Sequence, residues 1–158
     1  MAGADGNRAI VKVQAEDFDQ SEEIKRMTGG RTDIGAVASF VGLCRGKGET
    51  LEALELEHYP GMAEAQIQKS VDAAMARWPI DWLTVIHRFG KIAPGEQIVL
   101  VIATSRHRDA AFDGARYVMD FLKTDAPFWK KEHPRDGTDG GWVDARESDE
   151  TARNRWQS

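Results

Sequence analysis

The chain has a single cysteine, Cys44, in 158 residues. One thiol excludes an internal disulfide framework and a cysteine-based zinc site. The four histidines show no metal-ligand spacing, so no metal and no cofactor is expected. No apolar run approaches the roughly 20 residues of a membrane-spanning helix. Positive charge is also scarce: 21 Lys and Arg against 26 Asp and Glu leave a net charge of −5. That balance argues against general binding to nucleic acid or to an anionic membrane. Internal repeats, low-complexity tracts and a glycine-rich phosphate fingerprint are all missing. The opening residues MAGADGNR hold no hydrophobic signal core. They are expected to form a disordered tail over residues 1–8, with a cytoplasmic location as the default.

What is present is ordinary in amount and uneven in placement. Hydrophobic residues at 41% and charged residues at 30% fit one globular domain, expected over residues 9–158, with a sizeable core. The unevenness lies between Ile98 and Lys131. Six residues, Ile98 to Ala103, are apolar without alternation, as in a strand covered on both faces. Arg106, His107 and Arg108 then sit where a helix should begin. Cations are unfavourable there because the macrodipole already makes that end positive. Three of them together point to a bound phosphate or carboxylate. The competing view is a set of exposed charges at a frayed helix start. From Arg106 to Lys131 there are six Lys or Arg against four Asp or Glu, a local excess of cations inside an acidic protein.

The remaining organisation follows from periodicity and breakers. Ala9 to Val13 suits a short edge strand, and Asp19 to Lys25 a polar helix broken by Gly29-Gly30. Ile34 to Leu43 reads as a buried strand of small residues. Leu51 to Tyr59 alternates, with Leu54 and Leu56 on one face and Glu55 and Glu57 on the other. The glycine-bearing loop between these two strands predicts a hairpin. Met62 to Trp78 has the spacing of an amphipathic helix, through Ile67, Val71, Ala74 or Met75, and Trp78, and Pro79 stops it. Trp82 to Phe89 and the Ile98 strand form a second predicted hairpin about the Ala93-Pro94-Gly95-Glu96 turn. A helix from about Asp109 to Lys123 carries the stripe Ala111, Ala115, Val118 and Leu122. Ala126-Pro127 ends it. His133 to Gly141 reads as a loop, and Trp142 to Arg146 as a possible last strand. The order is hairpin, helix, hairpin, helix: an α+β domain with a largely antiparallel sheet and helices packed on it.

Each chemical candidate has an ordinary counterpart. Lys123 is usable chemistry, yet a lysine in a last helical turn also pairs with free carbonyls. Lys130 and Lys131 stand beside Phe128-Trp129, whose apolar bulk could desolvate an ammonium and make it a proton donor or acceptor. They read equally as surface charges. Cys44 lies in Cys44-Arg45-Gly46-Lys47-Gly48, where cations would lower a thiol pKa. A small side chain at a strand end is the plainer account. His58 and His87 are expected to pack or to lie on the surface, and Trp78 and Trp82 to anchor a core or an interface.

Several phrases occur in one order: LEHYPGM (Leu56–Met62), Arg77-Trp78-Pro79, VIHR (Val85–Arg88), Pro94-Gly95-Glu96, YVMDFLKTDAPFWK (Tyr117–Lys130) and WVDARE (Trp142–Glu147). Together they resemble the MoaE family, the large subunits of molybdopterin synthase, from about Ile34 to Trp156. The resemblance implies an α/β-hammerhead type of α+β fold. It implies an enzyme, a sulfurtransferase that adds two sulfurs to cyclic pyranopterin monophosphate to make the molybdopterin dithiolene. The sulfur would arrive as a thiocarboxylate on the C-terminal glycine of a small ubiquitin-like subunit of the MoaD type. A homodimer of large subunits would form the centre of a heterotetramer.

Residue roles follow from the same resemblance. Phe40-Val41-Gly42-Leu43-Cys44-Arg45 places a substrate-contacting loop arginine at Arg45, with Leu43 and Cys44 beside it. The His-Arg pair of the substrate site falls on His107 and Arg108. The lysine of LKT falls on Lys123 and that of PFWK on Lys130, the two catalytic candidates, with Lys131 and Glu132 adjacent. Arg146 matches an arginine contributed across the dimer. Cys44 is not a family requirement. Two alternatives stand beside this reading: a sulfurtransferase carrying a persulfide on Cys44, and a non-catalytic anion-binding module.

Overall fold

The computed structural model describes residues 8–48, 50–124, 128–137, 141 and 156. In chain order the elements are β1 (Arg8–Gln14), α1 (Gln20–Thr28), β2 (Ala36–Leu43), β3 (Leu51–His58) and α2 (Met62–Arg77). They continue with β4 (Trp82–Arg88), β5 (Gly90–Ile92), β6 (Gln97–Ser105), α3 (Arg108–Thr124) and β7 (Phe128–Pro134). A four-stranded sheet runs β1-β4-β6-β2, and a three-stranded sheet runs β5-β3-β7. The β1–β4 pairing is parallel; the other described pairings are antiparallel. This is the α+β architecture expected.

The large sheet is covered on both faces, and its central strands show why they are apolar without alternation. Leu83, Val85, Val99, Val101 and Ala103 point to one side, where they meet Ile67 and Val71 of α2 and Val118 of α3. Trp82, Ile86, Leu100 and Ile102 point to the other, against Met27 of α1 and Phe18 in the segment before it. Because side chains alternate across a strand, both sets must be hydrophobic when both faces are buried. Leu100, Val101 and Ile102 are completely buried, each contributing on the order of 2 kcal/mol from removal of apolar surface.

Local signals set the helix limits. The Asp19 carboxylate accepts a hydrogen bond from the Glu22 amide at 3.1 Å, the N-cap role its type favours. At α2, the Glu64 carboxylate accepts from the Gly61 amide at 3.1 Å, and Gly61 holds a φ of 84° that suits a residue without Cβ. The α2 stripe buries Ile67, Val71 and Ala74, as the spacing predicted. Trp82 is buried. Trp78 is half-buried among Tyr117, Trp156 and the Arg77 guanidinium, with the Trp156 indole donating to Asp120.

Several expectations need correction. β2 is an edge strand in which only Ala38 is buried, while Val37, Phe40 and Leu43 are exposed. β2 and β3 do not form a hairpin. β2 pairs with β6, whereas β3 joins β5 and β7 in the other sheet. The residues after Leu43 carry the chain from one sheet to the other, so the glycine-bearing loop is a crossing. The second hairpin does form between β4 and β6, but β5 leaves it midway to pair with β3. His133 and Pro134, expected in a loop, close β7. Of the tail expected over residues 1–8, Arg8 instead opens β1 opposite Trp82; residues 1–7 and the Trp142–Arg146 strand lie outside the described residues. No described helix is long and apolar enough to cross a membrane.

Candidate active site

The site is built where the small sheet meets the end of the large one. Antiparallel pairing puts Phe128 opposite His58, Lys130 opposite Leu56 and Glu132 opposite Leu54. With a period of two, these six side chains share one face, and Trp129, Lys131 and His133 take the other. The buried Leu56 marks the first face as the inner one. On the outer face the His133 imidazole pairs with Glu55 at 2.7 Å and holds that carboxyl below its usual range. Lys131 stands opposite Glu55.

His87 ends the α2/α3 side of β4 and meets that inner face. Its ring stacks on Phe128 with centroids 3.8 Å apart and planes 12° from parallel. His58 lies beside the same phenyl ring at 5.8 Å and beside Phe89 at 4.5 Å. Burial pushes the His87 imidazole down to about 4, and the positive fields of Lys130, Lys123 and His58 push the same way. The ring is therefore neutral at neutral pH. That electrostatic coupling also places Lys123, in the last turn of α3, and Lys130, on β7, around one buried group. Lys123 is exposed and Lys130 half-buried.

The arginine loop reaches the same region. Cys44 to Gly48 leaves β2, and the Lys47 ammonium pairs with Glu132 of β7. Leu43 and Arg45 are exposed. Cys44 is turned inward, packed with Leu51, Leu56 and Ile92. Its amide donates to the Glu96 carbonyl at 2.8 Å, and its own carbonyl accepts from Gly95 at 2.7 Å. Burial, with the nearby Glu96 carboxylate, raises the Cys44 pKa. The flanking cations do not produce a reactive thiolate.

His107 and Arg108 lie elsewhere. Both are exposed, at the start of the 17-residue α3, and Lys123 is about 22 Å further along its axis. The structure thus brings together Arg45's loop, Lys123, Lys130 and Glu132, and leaves the His107-Arg108 pair at the opposite end of the helix. The preceding turn is tightly seated: the His107 amide donates to the Ser105 hydroxyl at 3.3 Å, and that hydroxyl donates to the Pro79 carbonyl at 3.0 Å. Arg146 lies outside the described residues. Among the described residues there is no His, Cys, Asp and Glu group that could hold a metal.

Sequence reasoning missed His87 as part of the site. A histidine and an arginine side by side at the end of a largely apolar strand were the available signal.

Two sheets sharing a junction lined by lysines, over a buried neutral histidine, define an α+β domain equipped to handle an anion. The chain belongs to the MoaE protein family, whose family model matches residues 13–125. It is 60% identical over 148 residues to the molybdopterin synthase catalytic subunit of Mesorhizobium japonicum, covering 94% of this chain and 93% of that relative. Among solved structures it is similar to the molybdopterin biosynthesis MoaE protein of Burkholderia ambifaria, with 44% identity, a TM-score of 0.80, and 95% and 99% of the two chains covered. Molybdopterin synthase of Staphylococcus aureus aligns at 30% identity with a TM-score of 0.74, covering 84% of this chain and 96% of that one.

Proposed function

We propose that this chain is the catalytic subunit of a molybdopterin synthase, with residues 9–158 as one catalytic domain working in the cytoplasm. It transfers two sulfurs to cyclic pyranopterin monophosphate, one from each of two thiocarboxylated C termini of a small ubiquitin-like subunit, each terminus being left as a carboxylate after hydrolysis, and so gives the dithiolene of molybdopterin. The observation that carries the reading, beyond family membership, is the gathering of Lys123 and Lys130 about one buried neutral imidazole. Cations on the wall of a partly desolvated site stabilise an anionic substrate far more than exposed ones do.

In this reading Arg45, in its exposed loop, contacts substrate beside Leu43, and Lys131 and Glu132 border the same strand. Lys123 and Lys130 manage protons as the thiocarboxylate sulfur attacks and the cyclic phosphate opens. His107 and Arg108 cannot serve the lysine cluster of their own chain across a helix length. They serve a pocket completed by a second copy, as does Arg146, which fits a central homodimer. The deeply packed Cys44, with its raised pKa, supports no persulfide step of its own.

The test is Lys123→Ala, assayed with thiocarboxylated small subunit and cyclic pyranopterin monophosphate. Loss of a proton-handling group should lower turnover about 100-fold or more, with an unchanged far-UV circular dichroism spectrum. Near-normal dithiolene formation would overturn the assignment. Substrate binding without any dithiolene from the wild-type chain would favour a simple anion-binding module.

A further inference from the structure

We infer that His87 is a positioning residue for this site: its ring is the platform on which Phe128 seats, and that seating fixes Lys130 relative to Lys123. The inference rests on the synthase reading above. Phe128 is the first residue of β7, and Lys123 stands in the last turn of α3. Lys130 is two residues beyond Phe128 and on the same face of the strand. Whatever sets the place and tilt of the Phe128 ring therefore sets where β7 presents its lysine.

His87 has the means to do so. Its Nδ1 lies 2.9 Å from the Arg88 carbonyl oxygen. A carbonyl only accepts, so Nδ1 carries the proton, and the bond fixes the plane of the ring. Arg88 is itself clasped, its guanidinium donating to the Ala15 carbonyl at 3.0 Å and the Gln97 carbonyl at 2.8 Å. The platform is thereby tied to the ends of β1 and β6 as well as to its own strand. The near-parallel stack at 3.8 Å transfers that rigidity to Phe128. A neutral ring suits the position, because an imidazolium would repel both lysines it is meant to hold together.

The experiment compares wild type, His87→Ala and His87→Phe in the full assembly with thiocarboxylated small subunit and cyclic pyranopterin monophosphate. Misplacing a catalytic group by about an ångström costs on the order of 100-fold. His87→Ala should accordingly lose at least about tenfold in kcat per folded molecule, with KM changed by less than about threefold. His87→Phe keeps a ring to stack on but loses the Nδ1 bond to the Arg88 carbonyl, so its kcat should fall between those of wild type and His87→Ala, at least about threefold above the latter. Unchanged kcat per folded molecule in His87→Ala overturns the inference, as does equal loss in both variants, which would show that the ring stacked on Phe128 positions nothing. If His87→Ala does not fold, Phe128→Leu removes the stack from the other side, and an unchanged kcat there overturns it equally. Failure of wild type to form product would instead overturn the synthase reading, and this inference with it.

Discussion

Acid should weaken this fold at His87 in particular, and the size of that contribution follows from the ring's surroundings. The imidazole has an ordinary value of 6.5 and is pushed down to about 4 in the folded chain, chiefly by burial. The unfolded chain therefore binds the extra proton more readily between those two values, and stability rises with pH across that window. At pH 5 the preference for protonating the unfolded chain is about 30-fold, or about 2 kcal/mol, and at pH 7 it nearly vanishes. Taking the wild type from pH 7 to pH 5 should cost about 2 kcal/mol at this site, or about 1 M in urea midpoint for a slope near 2 kcal/mol/M. The groups that face the ring, Lys123, Lys130 and His58, push the His87 value the same way as burial does and do not relieve the penalty. His87→Phe removes it altogether. Urea unfolding of both chains at pH 7 and pH 5, at one protein concentration, isolates the term. The lowered pKa values of Asp17, Asp33 and Glu55 are common to both chains and cancel. Midpoints that fall in parallel for the two chains would refute the reasoning.

Other substitutions probe other parts. Cys44→Ser should leave turnover within about twofold of wild type, and the native thiol should react slowly with iodoacetamide at pH 7, since burial keeps it protonated; abolished turnover would restore a role for sulfur on Cys44. Gly35→Ala should destabilise by about 1–3 kcal/mol in urea titration, because an added Cβ would stand 2.1 Å from the Arg106 carbonyl oxygen; an unchanged midpoint would show that this turn yields freely. Arg31→Met strips Asp81 of two hydrogen bonds at 2.7 and 2.8 Å and should cost about 1–3 kcal/mol by the same titration. A chain carrying both His107→Ala and Lys123→Ala, assembled with one wild-type chain, should have little activity if the pair acts across the dimer, whereas half-normal turnover would place it within its own chain.

The large sheet was legible because burial writes itself into composition. The middle of β6 is apolar on both faces because helices cover both, and Ile98 to Ala103 says so directly. β3 shows its single buried face through alternation. β7 hid for the opposite reason. Phe128 to Pro134 is an edge strand whose charges reach solvent and a neighbouring loop, so it has neither an apolar run nor a clean period. The division into two sheets was equally invisible, since a short loop with glycines looks the same whether it turns back or crosses over. At the site, cations at both ends of α3 were plain in the sequence, but only the helix length shows that one chain cannot bring them together. Of the two places open to His87, packing or surface, the structure gives packing; its closeness to the lysines arises from β7, the strand that periodicity did not reveal.

The small sheet draws its strands from residues 51–58, 90–92 and 128–134, three places far apart along the chain. Pairings that close long loops are slow to form, because chain entropy is lost before contacts compensate for it. During refolding, the β4–β6 ribbon and the helices upon it can assemble while β3 and β7 are still searching for each other. Catalytic competence should consequently lag behind the recovery of helical signal, and hydrogen exchange at β7 amides should open before that at β6. A cell making this protein would then hold, for a time, molecules with a formed core and no working site.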